Sequence, residues 1–514
     1  MRIYWLAFLL FPIAYAQTSN KCADLTKFKI PGVPMVITKA APIPTSSAPG
    51  TATTETSATS ATIPSHCQAD GMINERTGAD GRTYGIGFSL ALPDNWNNRF
   101  LFQGGGGYNG SVRPPVGAAA AGNNPGLARG FAIVSTDTGH KGAVFDGSFM
   151  RDQQAALDFY YVAVGRVAVA AKELIAWYYG RAPGHSYYTG CSTGGREAMI
   201  MSQRYPAYFD GIVSGDPAIR TGYSNLALGY IGAVFSRAAA AGVSGKPDPS
   251  TLFSDSDRKL IVESLLDRCD AKDGLRDGMI FNARACDFDP GLLACDGAKT
   301  ERCLTATQVS ALKTAFAGPK SLHGDAYYPG VPYDAGIDAA SGIPGLLRGP
   351  RIPVQTGADP EHFDVDREAA RIASNPGALL GDSTWTNLSS FAGHGGKLIF
   401  YHGMSDPWFS PLDTLGYYEK MARDTGGNQP VTAWSRLFLV PGMGHCQGGS
   451  AALDRFDMLT AIVNWVEKGE APDSVIATGR AFPGRGRPLC PYPKYAEYQG
   501  TGDPNDSANF VCKE

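Results

Sequence analysis

The sequence lacks an excess of charge of either sign. Its 45 Lys and Arg against 48 Asp and Glu leave a formal net charge of −3 over 514 residues. Nothing in that balance calls for a nucleic-acid or anionic-membrane partner, since both select a basic surface. Beyond the first residues there is no apolar run long enough to span a bilayer. There is no CxxC pair, and the 8 histidines are too few and too scattered for a zinc cluster. The run Gly104-Gly105-Gly106-Gly107 has no Lys, Ser or Thr directly after it, only Tyr108-Asn109. A phosphate cradle, and with it nucleotide chemistry, is therefore not expected.

What is present begins at the N terminus. Met1-Arg2, an apolar run from Ile3 to Ile13 and small residues in Ala14-Tyr15-Ala16 read as a signal peptide over 1–16 and predict a secreted chain starting at Gln17. Ten cysteines follow, an even number that export makes a disulfide set. Sequons at Asn109, Asn387 and Asn505 permit glycosylation. Residues 41–63, rich in Thr, Ser, Ala and Pro, read as a linker, or as an exposed loop or edge hairpin if Cys22 and Cys67 pair.

From residue 84 the pattern alternates. Strands are expected at 84–92, 99–103, 131–135, 186–189 and 209–214, with helices at 154–179 and 194–203. The rhythm lapses over 219–392 and returns with strands at 397–401 and 437–440 and a helix at 455–466. This predicts an α/β-hydrolase, a doubly wound, mostly parallel sheet with an inserted lid domain: 17–218 and 393–514 form the two parts of the hydrolase domain, and 219–392 the lid.

Gly190-Cys191-Ser192-Thr193-Gly194 is a G-x-S-x-G between an expected strand and helix. Small residues two before and two after the serine allow the sharp turn that lifts a nucleophile above the sheet. The helix start offers the Thr193 N–H to an oxyanion, and the glycine loop ending at Gly107 offers a second donor. The base and acid should follow in the order acid, then histidine. His445 lies in a loop after the strand ending at Val440, and Asp406 in a loop after the strand ending at Tyr401. Asp137 is the rival carboxylate, but it precedes the serine. Cys191 and Cys446 adjoin Ser192 and His445, so a bond between them would bring base and nucleophile together. Separately, Asp270, Asp273 and Asp277 crowd a Gly-containing loop that suits a hard cation, without the closing glutamate of an EF-hand.

The chain resembles the tannase and feruloyl esterase family over nearly all of its mature length. The likeness rests on Gly190-Cys191-Ser192-Thr193-Gly194-Gly195-Arg196, His402-Gly403-Met404-Ser405-Asp406 and Pro441-Gly442-Met443-Gly444-His445-Cys446. The resemblance implies a serine esterase with catalytic Ser192, Asp406 and His445, oxyanion donors Thr193 and Gly107, and a pocket lined by Gly106, His402 and Phe409. It also implies the pairs Cys22–Cys67, Cys191–Cys446, Cys269–Cys286, Cys295–Cys303 and Cys490–Cys512. A structural calcium on Asp270, Asp273, Asp277 and the main-chain oxygens of Leu275 and Met279 completes it, with no organic cofactor.

Members act on ferulate esters, on gallate esters or, in a bacterial branch, on mono(2-hydroxyethyl) terephthalate. Hydroxycinnamate esters of plant cell-wall sugar, as for the B-type feruloyl esterases, are ranked first and gallate esters second. Terephthalate is ranked lower because the branch that takes it has Glu and Ser where this chain has Thr193 and Gly106. Its tryptophan-rich lid stretch is also missing between Gly342 and Arg351, where Arg348 remains as a cation for a polar substituent. A secreted carbohydrate-binding protein with an inert site would lack a triad member, and none is missing. A serine peptidase shares the triad and is told apart by activity on peptides. Monomer and homodimer both stay open.

Overall fold

The computed structural model describes residues 21–47, 61–240, 247–340, 342–350, 362–425 and 430–514. The expected signal peptide, and Arg351, lie outside these residues.

Nine strands form one sheet. They are β1 (Met35–Ile43), β2 (His66–Thr77), β3 (Thr83–Pro93), β4 (Arg99–Gln103), β5 (Ala132–Thr136), β6 (His185–Cys191), β7 (Gly211–Gly215), β8 (Lys397–Gly403) and β9 (Ser435–Val440). Their order is β1-β2-β3-β5-β4-β6-β7-β8-β9. The first three strands and the β3–β5 pair are antiparallel, and every pairing from β5 to β9 is parallel. The strands from β4 to β7 are buried almost throughout, on both faces, as expected of a parallel sheet covered by helices. This is an α/β-hydrolase fold.

Helix α1 (Ala163–Tyr179) and helix α2 (Thr193–Arg204) cover one face, where Val164, Ala168, Leu174, Ile175, Met199 and Ile200 meet Phe100, Phe102 and Tyr188. A C-terminal helix (Met458–Lys468) covers the other through Leu459, Ile462 and Trp465 against Leu101, Ile133 and Ile399. The helix expected over 154–179 runs without a gap from Gln153 to Tyr179, with a wider π turn inside it at Asp158–Val162 between Gln153–Leu157 and α1. Gly165, off the expected stripe, is nonetheless buried, because a Cβ there would stand 2.5 Å from the Tyr205 ring.

Of the segment read as a linker, residues 41–47 and 61–63 are described. Cys22 bonds Cys67, and β1 pairs with β2 as an edge hairpin, which is the second of the two expectations for this region. The insertion between β7 and β8 has its own apolar core, in which Phe235, Phe253, Ile261, Leu265 and Leu312 are buried. At the C terminus Cys490–Cys512 closes a pair of short hairpins. All five disulfides join the cysteines that the family resemblance pairs.

The strand order reverses between β4, whose neighbour β5 lies to one side, and β6 on the other. Open α/β sheets bind ligands at such a point, outside the carboxyl ends of the strands. The glycine loop leaves β4 there, and Ser192 leaves β6.

Candidate active site

Ser192 sits between β6 and α2 with φ 65° and ψ −125°. A non-glycine residue at such angles is strained and persists only when its surroundings hold it. They do: its N–H donates to Gly215 O at 3.0 Å, and its carbonyl accepts from Arg196 N at 3.0 Å and Ala218 N at 3.2 Å. The flanking glycines are obligatory. A Cβ on Gly190 would fall 2.4 Å from Gly194 O, and one on Gly194 would fall 2.7 Å from Gly105 O.

The glycine loop is braced by residues the sequence reading missed. Glu197, buried on α2, accepts from Gly105 N–H at 3.0 Å, from the Tyr188 hydroxyl at 2.8 Å and from Asn109 Nδ2 at 2.6 Å. Asn109 Oδ1 in turn accepts from Gly106 N–H at 2.8 Å. Asn109 is therefore a buried internal strut, whereas the other two sequon asparagines, Asn387 and Asn505, are exposed. With two glycine N–H groups so engaged, that of Gly107 has no acceptor among the described residues. The Thr193 hydroxyl donates to Gly107 O, tying the two expected oxyanion donors together.

Asp406 follows β8 and His445 follows β9. His445 Nδ1 donates to Asp406 Oδ2 at 2.7 Å, while Asp406 Oδ1 accepts from the N–H groups of Trp408 at 2.7 Å and Phe409 at 3.1 Å. The pairing fixes the proton on Nδ1 and leaves Nε2 as the acceptor; Nε2 is buried without a partner. Burial works against the Asp406 charge, but His445 and His402 hold the carboxyl below the usual range. Burial likewise works against a proton on His445, and Asp406 raises its affinity above the ordinary imidazole value. The Cys191–Cys446 bond, with Cα atoms 5.9 Å apart, ties the residue before Ser192 to the residue after His445.

His402 is corrected. It is fully buried, with Nδ1 2.8 Å from the Thr414 hydroxyl and Nε2 3.1 Å from Phe409 O and 3.4 Å from Asp406 Oδ2. It backs the acid and forms no part of a pocket wall. Phe409 is buried with its ring 5.2 Å from that of His445. The half-buried Trp408, which the sequence reading passed over, lies 4.9 Å from the same imidazole and meets Phe145 edge-on at 5.8 Å. Beside Gly106, the exposed Arg113 guanidinium stands 2.7 Å from where a Cβ would be. Arg348 is also corrected. Its Nε lies 3.0 Å from Asp338 Oδ1, a carboxylate shared with Arg258, so it is committed within the insertion.

The inserted segment reaches both functional loops through Asp334, which is buried and accepts from Ser405 Oγ and, at 2.7 Å, from Gly442 N–H. Asp137, the rival acid, accepts from Gly87 and Gly139 N–H groups, each at 2.9 Å, and braces the end of the β3–β5 pairing.

In the Asp270–Met279 loop, Asp270 accepts from Gly278 N–H at 2.9 Å and Asp273 from Phe281 N–H at 2.9 Å. Asp277 pairs with Arg487 at 2.5 Å. Burial pushes Asp273 up to about 7 and also raises Asp270, and Asp277 adds to both. A loop that gathers this much buried negative charge on hard oxygens fits a cation such as calcium in its donor chemistry. Its carboxylates spread wider than the two sets of three ligand atoms that lie within 4.8 Å of one another among the described residues, Cys191/Asp216/Cys446 and Asp216/Asp406/His445. Those sets lie around the Asp406–His445 pair, and the two cysteines of the first are bonded to each other.

An elbow serine, a disulfide joining its loop to that of a histidine, a buried acid paired with that histidine and backbone donors together can carry out acyl transfer. Comparison with known proteins agrees. The family model "Tannase and feruloyl esterase" matches residues 67–349 and 355–513. The chain belongs to the tannase and feruloyl esterase family. It is an ester hydrolase of that α/β-hydrolase type. It is 40% identical to a mono(2-hydroxyethyl) terephthalate hydrolase of Piscinibacter sakaiensis, over 88% of this chain and 86% of that one. It is 30% identical to a probable feruloyl esterase B-2 of Aspergillus terreus, over 82% of each. Its fold is similar to the crystal structure of feruloyl esterase B from Aspergillus oryzae, with TM-score 0.77 and 25% identity, covering 96% of this chain and all (100%) of that one.

Proposed function

We propose that this family member cleaves monoesters of aromatic diacids, of which mono(2-hydroxyethyl) terephthalate is the type. The observation that carries this is the 40% identity to a hydrolase of that name, against 30% and 25% for the feruloyl esterases compared. It reverses the ranking drawn from sequence, which placed hydroxycinnamate esters first. The sequence reading leaned on an absent tryptophan stretch and on Thr193 and Gly106. The site supplies other means to the same end: Trp408 and Phe145 offer faces for a flat ring, and Arg113 a cation at the position a residue-106 side chain would fill. The insertion, joined to both loops by Asp334, acts as the lid. Feruloyl esters remain the second reading, on the likeness of fold.

In this mechanism His445 Nε2 takes the Ser192 proton as Oγ attacks the ester carbonyl. The N–H groups of Thr193 and Gly107 receive the oxyanion, and Asp406 stabilises the imidazolium. The proton passes to the leaving alcohol, and water then releases the acid.

Initial rates on matched mono(2-hydroxyethyl) terephthalate, methyl ferulate and methyl gallate test the ranking. The terephthalate monoester should give the highest kcat/KM, and Arg113→Ala should raise its KM by about threefold to tenfold, the worth of one part-exposed charge-assisted hydrogen bond. The neutral diester should be unaffected. Methyl ferulate as the best substrate, with Arg113→Ala silent, would overturn the assignment.

We further propose calcium at Asp270, Asp273 and Asp277, with the carbonyls of Leu275 and Met279. The ion would offset the charge buried in that loop and take no part in the acyl transfer. Metal analysis of dialysed protein should find near-stoichiometric calcium, and chelation should lower Tm by roughly 5 °C or more. Metal-free protein with an unchanged Tm would contradict it.

A further inference from the structure

One buried carboxylate beside the triad is unused by this mechanism. Asp216 directly follows the carboxyl end of β7 in the run Ser214-Gly215-Asp216-Pro217, between the strands that deliver Ser192 and Asp406. It is fully buried, with φ 35°. Its N–H donates to Tyr401 O at 2.9 Å, and its Oδ1 accepts from Gly403 N–H at 2.8 Å, so it extends the β7–β8 ladder into the acid loop. Oδ1 also lies 3.6 Å from His402 Nε2. One carboxylate oxygen from Asp216, one from Asp406 and a ring nitrogen of His445 all fall within 4.8 Å of one another.

We propose that Asp216 is a positioning residue of the triad, a second buried carboxylate that braces the acid loop and faces the His445–Asp406 pair with its charge. The proposal rests on the Ser192–Asp406–His445 reading. A brace alone does not explain an aspartate. Asparagine tolerates a positive φ as well and accepts from Gly403 N–H without burying a charge, which is costly in an apolar interior. Burial pushes the Asp216 carboxyl up to about 7, and in its ionised form it faces the imidazolium that forms at His445, within 4.8 Å of its ring nitrogen.

The groups facing this carboxylate are His402 and Asp406 from the acid strand and loop, His445 from the base loop and the Tyr401 ring from β8. Asp413 interacts with His402 from the helix behind it. Cys191 and Cys446, bonded together, do not titrate. Burial works against a proton on His445; Asp406 and Asp216 favour it, while His402 disfavours it. Removing the Asp216 charge thus lowers the proton affinity of His445. Because the base must be neutral to accept the serine proton, activity would then persist to lower pH.

The experiment is the pH profile of kcat/KM for Asp216→Asn on a neutral aryl ester. The acidic limb should move down by about half a unit or more, and kcat at neutral pH should fall about threefold to tenfold with KM little changed. A limb that stays in place, even if activity and Tm both fall, reduces Asp216 to a structural brace and overturns the proposal. Should Asp216→Asn not fold, Asp216→Ser removes the same carboxylate: its limb should also move down, and no movement or an upward one overturns the proposal. Failure of the triad itself would show separately, as activity retained by Ser192→Ala.

Discussion

Replacing Cys191 and Cys446 together by serine is expected to lower kcat/KM by about 100-fold and to destabilise the fold by several kcal/mol. The two cysteines are 255 residues apart in sequence. In the chain-entropy model, closing a loop of that size stabilises by about 5 kcal/mol. The effect on rate has a separate origin. Ser192 and Cys446 both hold positive φ, 65° and 66°, so each functional loop carries local strain next to the bond. Without the crosslink the base loop is still held by the Asp334–Gly442 and Asp406–His445 hydrogen bonds, but nothing covalent joins it to the elbow. A displacement of about 1 Å between nucleophile and base can cost about 10²-fold. The check is kcat/KM beside denaturant unfolding. A double variant with wild-type kcat/KM would show that the remaining contacts align the site alone.

Much of the fold is legible in the sequence, because its cues are local. The parallel strands β4 to β9 are short apolar runs, and each expected one lies within two residues of its place. The elbow glycines are readable because G-x-S-x-G between strand and helix has a steric cause that needs no distant partner. The edge hairpin was harder: Pro42 and the Thr/Ser-rich stretch after it resemble a linker, and only the disulfide condition pointed to pairing. The π turn at Asp158–Val162 leaves the helical period intact on both sides, so nothing in the pattern marks it.

The polar residues that support the site were not legible, and for one reason. Glu197 is 92 residues from Gly105 in sequence, Asp216 is 187 from Gly403 and Asp334 is 108 from Gly442. Each looks like an ordinary charged residue until the chain brings its partner to it. Glu197 had a faint signal in Arg196-Glu197, two charges on a helix otherwise turned to the core, and Asp216 had one in its place after a buried strand. His402 was misplaced because its distance from Asp406 in sequence suits a pocket residue and a backing residue equally. The same limit affected the substrate ranking. Arg348 drew notice from a cation in the right stretch of sequence, but Asp338 and Arg258 show it engaged, whereas Arg113 is exposed beside Gly106.

The central claim is that Ser192 is the nucleophile, activated by His445. Its most direct test is kcat/KM of Ser192→Ala on the best aromatic ester, with Tm measured alongside. Alanine removes one oxygen from a turn held by backbone bonds to Gly215, Arg196 and Ala218, so the fold and Tm should not change. Removing the nucleophile of a serine triad costs on the order of 10⁴- to 10⁶-fold, leaving only what the oxyanion donors and binding supply. The account predicts a loss in that range with Tm unchanged; hydrolysis by the alanine variant at the wild-type rate would contradict it.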